Sequence, residues 1–385
     1  MIKILLVIVL FISSIFAQNF NEFLNNALEN SPYLKSNNLN INQAKEEGLA
    51  LLRYENPTLG MKYSKFYQDF NSDGNGYTLE YSQVVQLPGV SDTKEMLSQS
   101  LSENAQASFL LEKSRLRRDI SLEYTKYTQV KASQKLSQER LFLLQTLYSY
   151  TEKKYEEGAV SRGTMLELRL EYEMFQMEVE ELKIEIFQRY FSLLKMAGIK
   201  EEVNLSTEHN FVLSKTKGTN LEIEYLLTKK NKAVDSVKVV SNAIESIQLY
   251  GEYEKEQSEE IMSFGVKIPL VIFNNKKEEK RIAKFEVQKQ DYLIENHIRK
   301  VKFERAKLDK QREILENLKV KNEQLIRSLY EVLLMFEDAY AIAKTNLLEV
   351  QGIKEKIIMA KSNLVETQTK LDQNIIMSNY LEGSL

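Results

Sequence analysis

The stretch Tyr81-Ser82-Gln83-Val84-Val85-Gln86-Leu87-Pro88-Gly89 returns in the second half of the chain. A shift of 181 places Ser82, Val85, Leu87 and Pro88 on Ser263, Val266, Ile268 and Pro269. A shift of 185 places Tyr155 and Gly198 on Tyr340 and Gly383, and sets Gly158 and Ser161 against Ala343 and Asn346. The two shifts differ by about one helical turn, so the intervening insertion keeps the same face of a helix buried. Ordered anchors this far apart define a duplicated half-molecule, not a short solenoid repeat. The first repeat is read over 18–202 and the second over 203–385, each beginning with a helix.

The quoted stretch marks a change of period. Before it, Leu59, Met61 and Tyr63 alternate with Gly60, Lys62 and Ser64; a turn-rich loop over 68–76 follows; then Tyr77, Leu79 and Tyr81 alternate with Thr78, Glu80 and Ser82. Alternation of this kind predicts a strand with one apolar face. In the second half Ile247, Leu249 and Tyr253 precede a loop over 255–260, and Met262, Phe264, Val266 and Ile268 follow it. The chain therefore carries two β-hairpins, about 57–87 and about 246–273. Strands of about ten residues, rich in Tyr and Phe near their ends, have the length and composition of outer-membrane barrel strands.

After each hairpin comes a run with neither Pro nor Gly, over 91–155 and again over 276–340. As helix, each run would extend roughly 100 Å. In the second, Leu315, Leu318, Leu325, Leu329 and Phe336 follow three-and-four spacing, with Asn322 as a polar seam residue. That predicts coiled-coil packing along a narrow stripe, the other faces carrying Lys, Glu, Gln and Arg. Each run breaks briefly and a second helix returns, over 164–196 and 346–380. Gly158 and Gly163 can turn the first break, and Ser161 can cap the returning helix. Two long helical hairpins result, about 90–198 and about 275–381.

The N-terminus carries a processing signal. Met1-Ile2-Lys3 is a short basic start, residues 4–16 are nearly all apolar, and Ser13, Ser14 and Ala17 are small. This is a secretory signal peptide over 1–17, cleaved near Ala17, and too short for a spanning helix. About 368 of the 385 residues would remain. The chain has no Cys, so neither a disulfide scaffold nor a lipid-bearing N-terminal cysteine is available. Its net charge is −3 with acids and bases interleaved, which leaves no basic face for nucleic acid.

Four strands cannot close a barrel, and an open sheet edge is not tolerated in lipid. If the hairpins cross a membrane, the chain must assemble. Two copies would give about eight strands, whose interior fills with side chains, whereas three give about twelve and leave a lumen.

These features together resemble the TolC family of outer-membrane efflux channels. The resemblance spans essentially the mature chain and rests on Glu55-Asn56-Pro57-Thr58-Leu59, on the opening stretch, on Gly265-Val266-Lys267-Ile268-Pro269-Leu270-Val271-Ile272-Phe273-Asn274, and on Tyr155-x-x-Gly158-x-x-Ser161. It implies a mostly α fold with a small β part, internally duplicated, forming a trimeric α/β-barrel. It further implies an outer-membrane homotrimer with a long periplasmic helical part. That trimer would serve as a passive conduit for small molecules or metal ions in a tripartite efflux system. Its implied partners are a periplasmic adaptor protein, an inner-membrane pump of the RND type, and outer-membrane lipid.

By the same resemblance Tyr155, Gly158, Ser161, Ala343 and Asn346 form adaptor-docking tips, with Tyr340 and Glu349 at the entrance constriction. The second tip has Ala343 where the family usually has Gly, and Gly352 where an acid is frequent. Three Glu349 carboxylates in a ring would favour cations. Without the resemblance Glu349 is one of 55 acidic residues on a solvated helix face.

Nothing in the chain suggests an enzyme, a cofactor or a metal centre. His209 and His297 are the only histidines, with no H-E-x-x-H spacing, and are read as surface residues. Gly158-x-x-x-x-Gly163-Thr164 lacks the Lys and the preceding strand of a phosphate loop. The 11 Met residues are scattered packing filler. Two other readings are a conduit for type I protein secretion and, from a different class, a periplasmic coiled-coil adaptor without a pore. Against the latter, the chain has two helical hairpins and only short strand pairs. The compact length and the Ser82-Gln83 strand exit resemble the heavy-metal branch of the family.

Overall fold

The computed structural model describes residues 18–67, 74–216, 218–256, 259–342 and 344–385. The expected signal peptide and Ala343 lie outside these residues, as do parts of both strand loops. In chain order the elements are α1 (Phe20–Asn30), α2 (Pro32–Leu52), β1 (Thr58–Phe66), β2 (Gly74–Gln86), α3 (Pro88–Glu156) and α4 (Arg162–Ala197). The second half supplies α5 (Leu221–Ser241), β3 (Ser246–Lys255), β4 (Glu260–Lys267), α6 (Lys277–Ala341) and α7 (Leu347–Leu381). Helices therefore predominate, as the long Pro- and Gly-free runs require.

The chain divides into two compact units, each drawing on both halves of the sequence. One comprises residues up to Lys35 with Glu112–Asn220 and Lys300–Leu385; the other comprises Ser36–Leu111 and Leu221–Arg299.

In the second unit the two expected hairpins join into one antiparallel sheet of order β1-β2-β3-β4. The joining ladder runs from Tyr77 opposite Lys255 to Gln86 opposite Ser246. Gly74, Asn75 and Gly76, expected in the first loop, pair with Phe66, Lys65 and Ser64 and belong to β2. Likewise Lys255 and Glu260 are a strand pair, and the turn between them is closed by Glu256 N–H donating to Glu259 O at 2.8 Å. The opening motif now has a physical role. Gln248 Nε2 donates to the Ser82 hydroxyl at 2.8 Å, and that hydroxyl lies 2.6 Å from Thr58 Oγ1, tying three strands together on one face. Gln83 Nε2 donates to Glu55 O and Gln86 Nε2 to Arg53 O, which pins the segment entering β1.

The duplication is imperfect beyond the strands. In the first half Pro88 opens α3 directly, a position proline tolerates because its missing N–H has no helical acceptor. In the second half residues 268–276 form no helix or strand after β4. Lys276 closes this segment with φ 55°, the one left-handed non-glycine among the described residues. Its Nζ donates to Glu245 Oε1 and to Asn242 O, and Asn274 Oδ1 accepts from its N–H at 3.1 Å.

In the first unit the main core gathers Phe20, Phe23, Leu24, Ala27, Ile120, Tyr124, Tyr127, Leu193, Leu194, Ala197 and Leu205. Gln18 forms a parallel bridge with Leu205. His209 is half-buried and not freely solvated: its ring lies 4.7 Å from Phe20 and 4.6 Å from Phe211, and burial lowers its pKa. His297, in the other unit, is also largely covered, its Nε2 3.7 Å from Glu222 Oε2.

The expected seam of α6 is corrected by the same unit. Leu315, Asn322, Leu329 and Phe336 are covered, but Leu318 and Leu325 are 44% and 48% exposed. Lys319, Ile326 and Leu333 complete the covered stripe instead, so it is turned by one residue around the helix. Asn322 does sit in the seam, its Nδ2 donating to Thr367 Oγ1 at 3.2 Å.

Candidate functional site

Two regions hold the residues to which function was assigned. The first is the sheet. Its register puts Leu59, Met61 and Tyr63 of β1, Tyr77, Leu79 and Tyr81 of β2, Leu249 and Tyr253 of β3, and Met262, Phe264 and Val266 of β4 on one face. Met61 and Phe264 are each 80% exposed, and most of the others are exposed too. The opposite face carries Lys62, Glu80, Glu252, Glu254 and Lys267, with Lys267 Nζ 2.9 Å from Glu80 Oε1. A sheet solvated by water on its free face would show the reverse polarity: the exposed side would be polar. Both β1 and β4 also end the sheet with no further neighbour among the described residues. Such a wall is suited to apolar surroundings on one side, water on the other, and further strands at its edges.

The second region is the pair of helix-to-helix turns in the first unit. After α3, Gly158 takes φ 72° and its N–H donates to Tyr155 O at 2.9 Å. A glycine fits because the left-handed region penalises a Cβ. Gly163 does not share the turn; it lies inside α4. Ser161 is the N-cap of α4, its Oγ accepting from Thr164 N–H at 3.1 Å. Asn346 caps α7 in the same way, Oδ1 accepting from Glu349 N–H at 3.0 Å. Tyr155 and Tyr340 are both exposed, at 38% and 43%. At the first turn Glu157 accepts from Lys154 Nζ at 2.9 Å, which raises the lysine pKa.

Glu349 is exposed on the first turn of α7, and its carboxylate accepts from the Thr345 hydroxyl. An acid there is stabilised by the N-terminal end of the helix dipole. Gly352 stands in open space. Both turns rest on braced coils. Leu144, Phe175 and Val179 pack the first hairpin; Leu333, Val350, Ile353 and Ile357 pack the second. Arg140 crosses from α3 to Glu355 of α7 at 2.7 Å, and Lys354 of α7 meets Glu337 of α6 at 3.0 Å. These cross-links were not read from sequence, since single charges among many give no positional signal.

The same unit has apolar stripes that no described residue covers. On α4, Leu170, Met174, Met177, Ile184, Phe187 and Phe191 are each at least half exposed at heptad-like spacing. Leu318 and Leu325 on α6 belong to a second such stripe. Among the described residues no group of three or more His, Asp or Glu side chains is placed to hold a metal ion. No described helix is long and apolar enough to cross a membrane.

A four-stranded antiparallel sheet with apolar and polar faces, duplicated with two long helical hairpins, is the fold of the TolC-like outer-membrane channels. No family model matches the chain, and no curated protein does. Among solved structures, CusC, described in connection with transmembrane channel formation, matches with TM-score 0.74 and 16% identity over 94% of this chain and 91% of that one. The outer membrane protein VceC of Vibrio cholerae matches with TM-score 0.75 and 15% identity over 94% and 95%. The Campylobacter jejuni CmeC outer membrane channel matches with TM-score 0.75 and 15% identity over 94% and 85%.

Proposed function

We propose that the protein is the outer-membrane channel of a tripartite efflux system, a passive, non-enzymatic conduit formed by three copies of the chain. The observation that carries this reading is the sheet: four strands, one face apolar and exposed, one face charged, and both edges open. In lipid an open edge leaves backbone groups unpaired at several kcal/mol each, so β1 of one copy must meet β4 of another. Three copies place about twelve strands around a lumen lined by the polar face. The uncovered stripes on α4 and α6 supply apolar helix surface for the same assembly.

In this reading the turns bearing Tyr155, Gly158, Ser161, Ala343 and Asn346 meet a periplasmic adaptor that serves an inner-membrane pump. Tyr340 and Glu349 line the entrance. The signal peptide directs export and is removed near Ala17, and the organisation into repeats 18–202 and 203–385 reflects duplication of one unit. Substrate choice falls to the pump. The test is the mass of the detergent-purified particle together with its current in a planar lipid bilayer. Three chains per particle and a stable conductance are expected; a one-chain particle that stays soluble without detergent and carries no current overturns the reading.

A further inference from the structure

The segment 268–276 has no role in the channel reading as it stands. It leaves β4, forms no regular structure, and displays Ile268, Leu270, Ile272 and Phe273 at 55%, 79%, 68% and 99% exposure. Its counterpart in the first half behaves in the opposite way: Val90, which aligns with Val271, is 3% exposed. Val271 itself is half-buried, and Leu87 is half-buried where its aligned residue Ile268 is exposed, so the second repeat covers this segment less than the first does.

The outward position is built. Lys276 occupies its left-handed conformation while its ammonium holds Glu245 and the Asn242 carbonyl, and Asn274 caps the Lys276 N–H. The α6 helix starts directly after, at Lys277. These contacts fix the end of the segment and leave its apolar residues displayed. Ile268 also extends by one step the alternation of Met262, Phe264 and Val266, so the run begins on the apolar face of the sheet. Its far end meets Asn275 and the exposed Lys277, groups suited to phosphate headgroups.

We propose that residues 268–273 form a lipid anchor, seated in the interfacial layer of the membrane where the helical part begins, with Ile272 and Phe273 among the acyl chains near the headgroups. The inference rests on the sheet being a membrane wall. Pro269 suits the site because it brings no N–H that would need a partner away from water. A second copy of the chain is the competing occupant. The side chains that continue the alternation stand on the sheet's face, whereas another copy would be met along the backbone edge of β4.

The chain contains no Trp, so a single tryptophan reports its own surroundings. Phe273→Trp, Phe264→Trp on the sheet and Phe303→Trp on an exposed site of α6 would be reconstituted in vesicles of plain or brominated phosphatidylcholine with phosphatidylglycerol. Brominated lipid should quench Phe273→Trp and Phe264→Trp about twofold and leave Phe303→Trp unchanged, as expected for an interfacial aromatic. Bromines near the headgroup should act on Phe273→Trp more than bromines at the chain ends. Ile272→Trp serves as the second variant at the same site if Phe273→Trp fails to assemble. Quenching of Phe264→Trp without quenching at 272 or 273 overturns the anchor and leaves the channel reading standing. A blue-shifted but unquenched Phe273→Trp overturns it in favour of a second copy. Quenching at neither 264 nor 273 removes the membrane wall itself, and equal quenching of all three removes the anchor's distinctness.

Discussion

Ser161 and Asn346 cap the two returning helices in the same geometry, each accepting a hydrogen bond from the backbone N–H three residues on, at 3.1 and 3.0 Å. The same alignment pairs Gly198 and Gly383, which end those helices with φ 68° and 66°. The two hairpins therefore start and stop alike, one capped by a serine and the other by an asparagine.

The caps can be tested directly. Ser161→Ala and Asn346→Ala should each cost about 1 kcal/mol of local helix stability, since an orphan N–H loses its acceptor. Amide hydrogen exchange should accelerate at Thr164 in the first variant and at Glu349 in the second, with the other turn unchanged. Unaltered exchange at both amides would show that the caps do not hold the turns.

The sheet offers a cross-strand test. Tyr250 lies opposite Gly265, and Gly251 opposite Phe264, so each strand covers the other's glycine with an aromatic ring. A methyl group on Gly265 would stand 2.5 Å from the Tyr250 ring. Gly265→Ala should therefore lower the melting temperature of the assembly, and adding Tyr250→Ala should recover part of the loss. The coupling expected for such a contact is about 1–2 kcal/mol. Additive losses in the double variant would count against the steric account.

Strands, long helices and caps were legible because each leaves a local mark: alternation at Leu59 to Tyr63, absence of Pro and Gly, and Ser161 before an apolar run. What the sequence concealed is which apolar residues meet within one chain. Leu318 and Lys319 are adjacent, and both fit a seam with Leu315 and Asn322. Leu318 is the hydrophobic choice, yet Lys319 is the one covered. Hydrophobic spacing records every contact a helix makes, including those with other copies, so a helix with two seams reads as one. The β2–β3 ladder was hidden for a related reason: strands separated by a long helical hairpin and the further helix α5 leave no local signal of pairing. His209 looked solvated because its aromatic neighbours, Phe20 and Tyr124, are distant in sequence.

A pH dependence follows from the first unit. The Asp372 carboxyl is pushed up to about 6 by burial, despite the hydrogen bond from Gln368 and the charge of Lys319. An acid with a raised folded pKa binds more protons folded than unfolded, so its contribution to stability falls as pH rises from about 4 to above 6. Asp372→Asn should then raise stability by about 1 kcal/mol near pH 8 and change little near pH 4. Urea unfolding followed at both pH values decides it; a benefit larger at the acidic end would refute the assignment.

The entrance reading turns on Glu349. Three-fold repetition would bring three of its carboxylates to one constriction, and replacing each by glutamine removes three charges at once. The variant isolates charge from fold, because the glutamine amide oxygen can still accept from Thr345 while Asn346 keeps its bond to the backbone N–H. Particle mass and membrane yield should therefore be unchanged in Glu349→Gln. In a narrow, partly dehydrated ring, carboxylates bias ion entry, whereas exposed charges are screened over about 8–10 Å. Cation preference measured from the reversal potential in a planar bilayer should fall, and block by multivalent cations should weaken. Glu256, in the turn between β3 and β4, is the control for total charge. An equal effect of Glu256→Gln would assign selectivity to net charge, and unchanged currents in Glu349→Gln would remove this residue from the constriction.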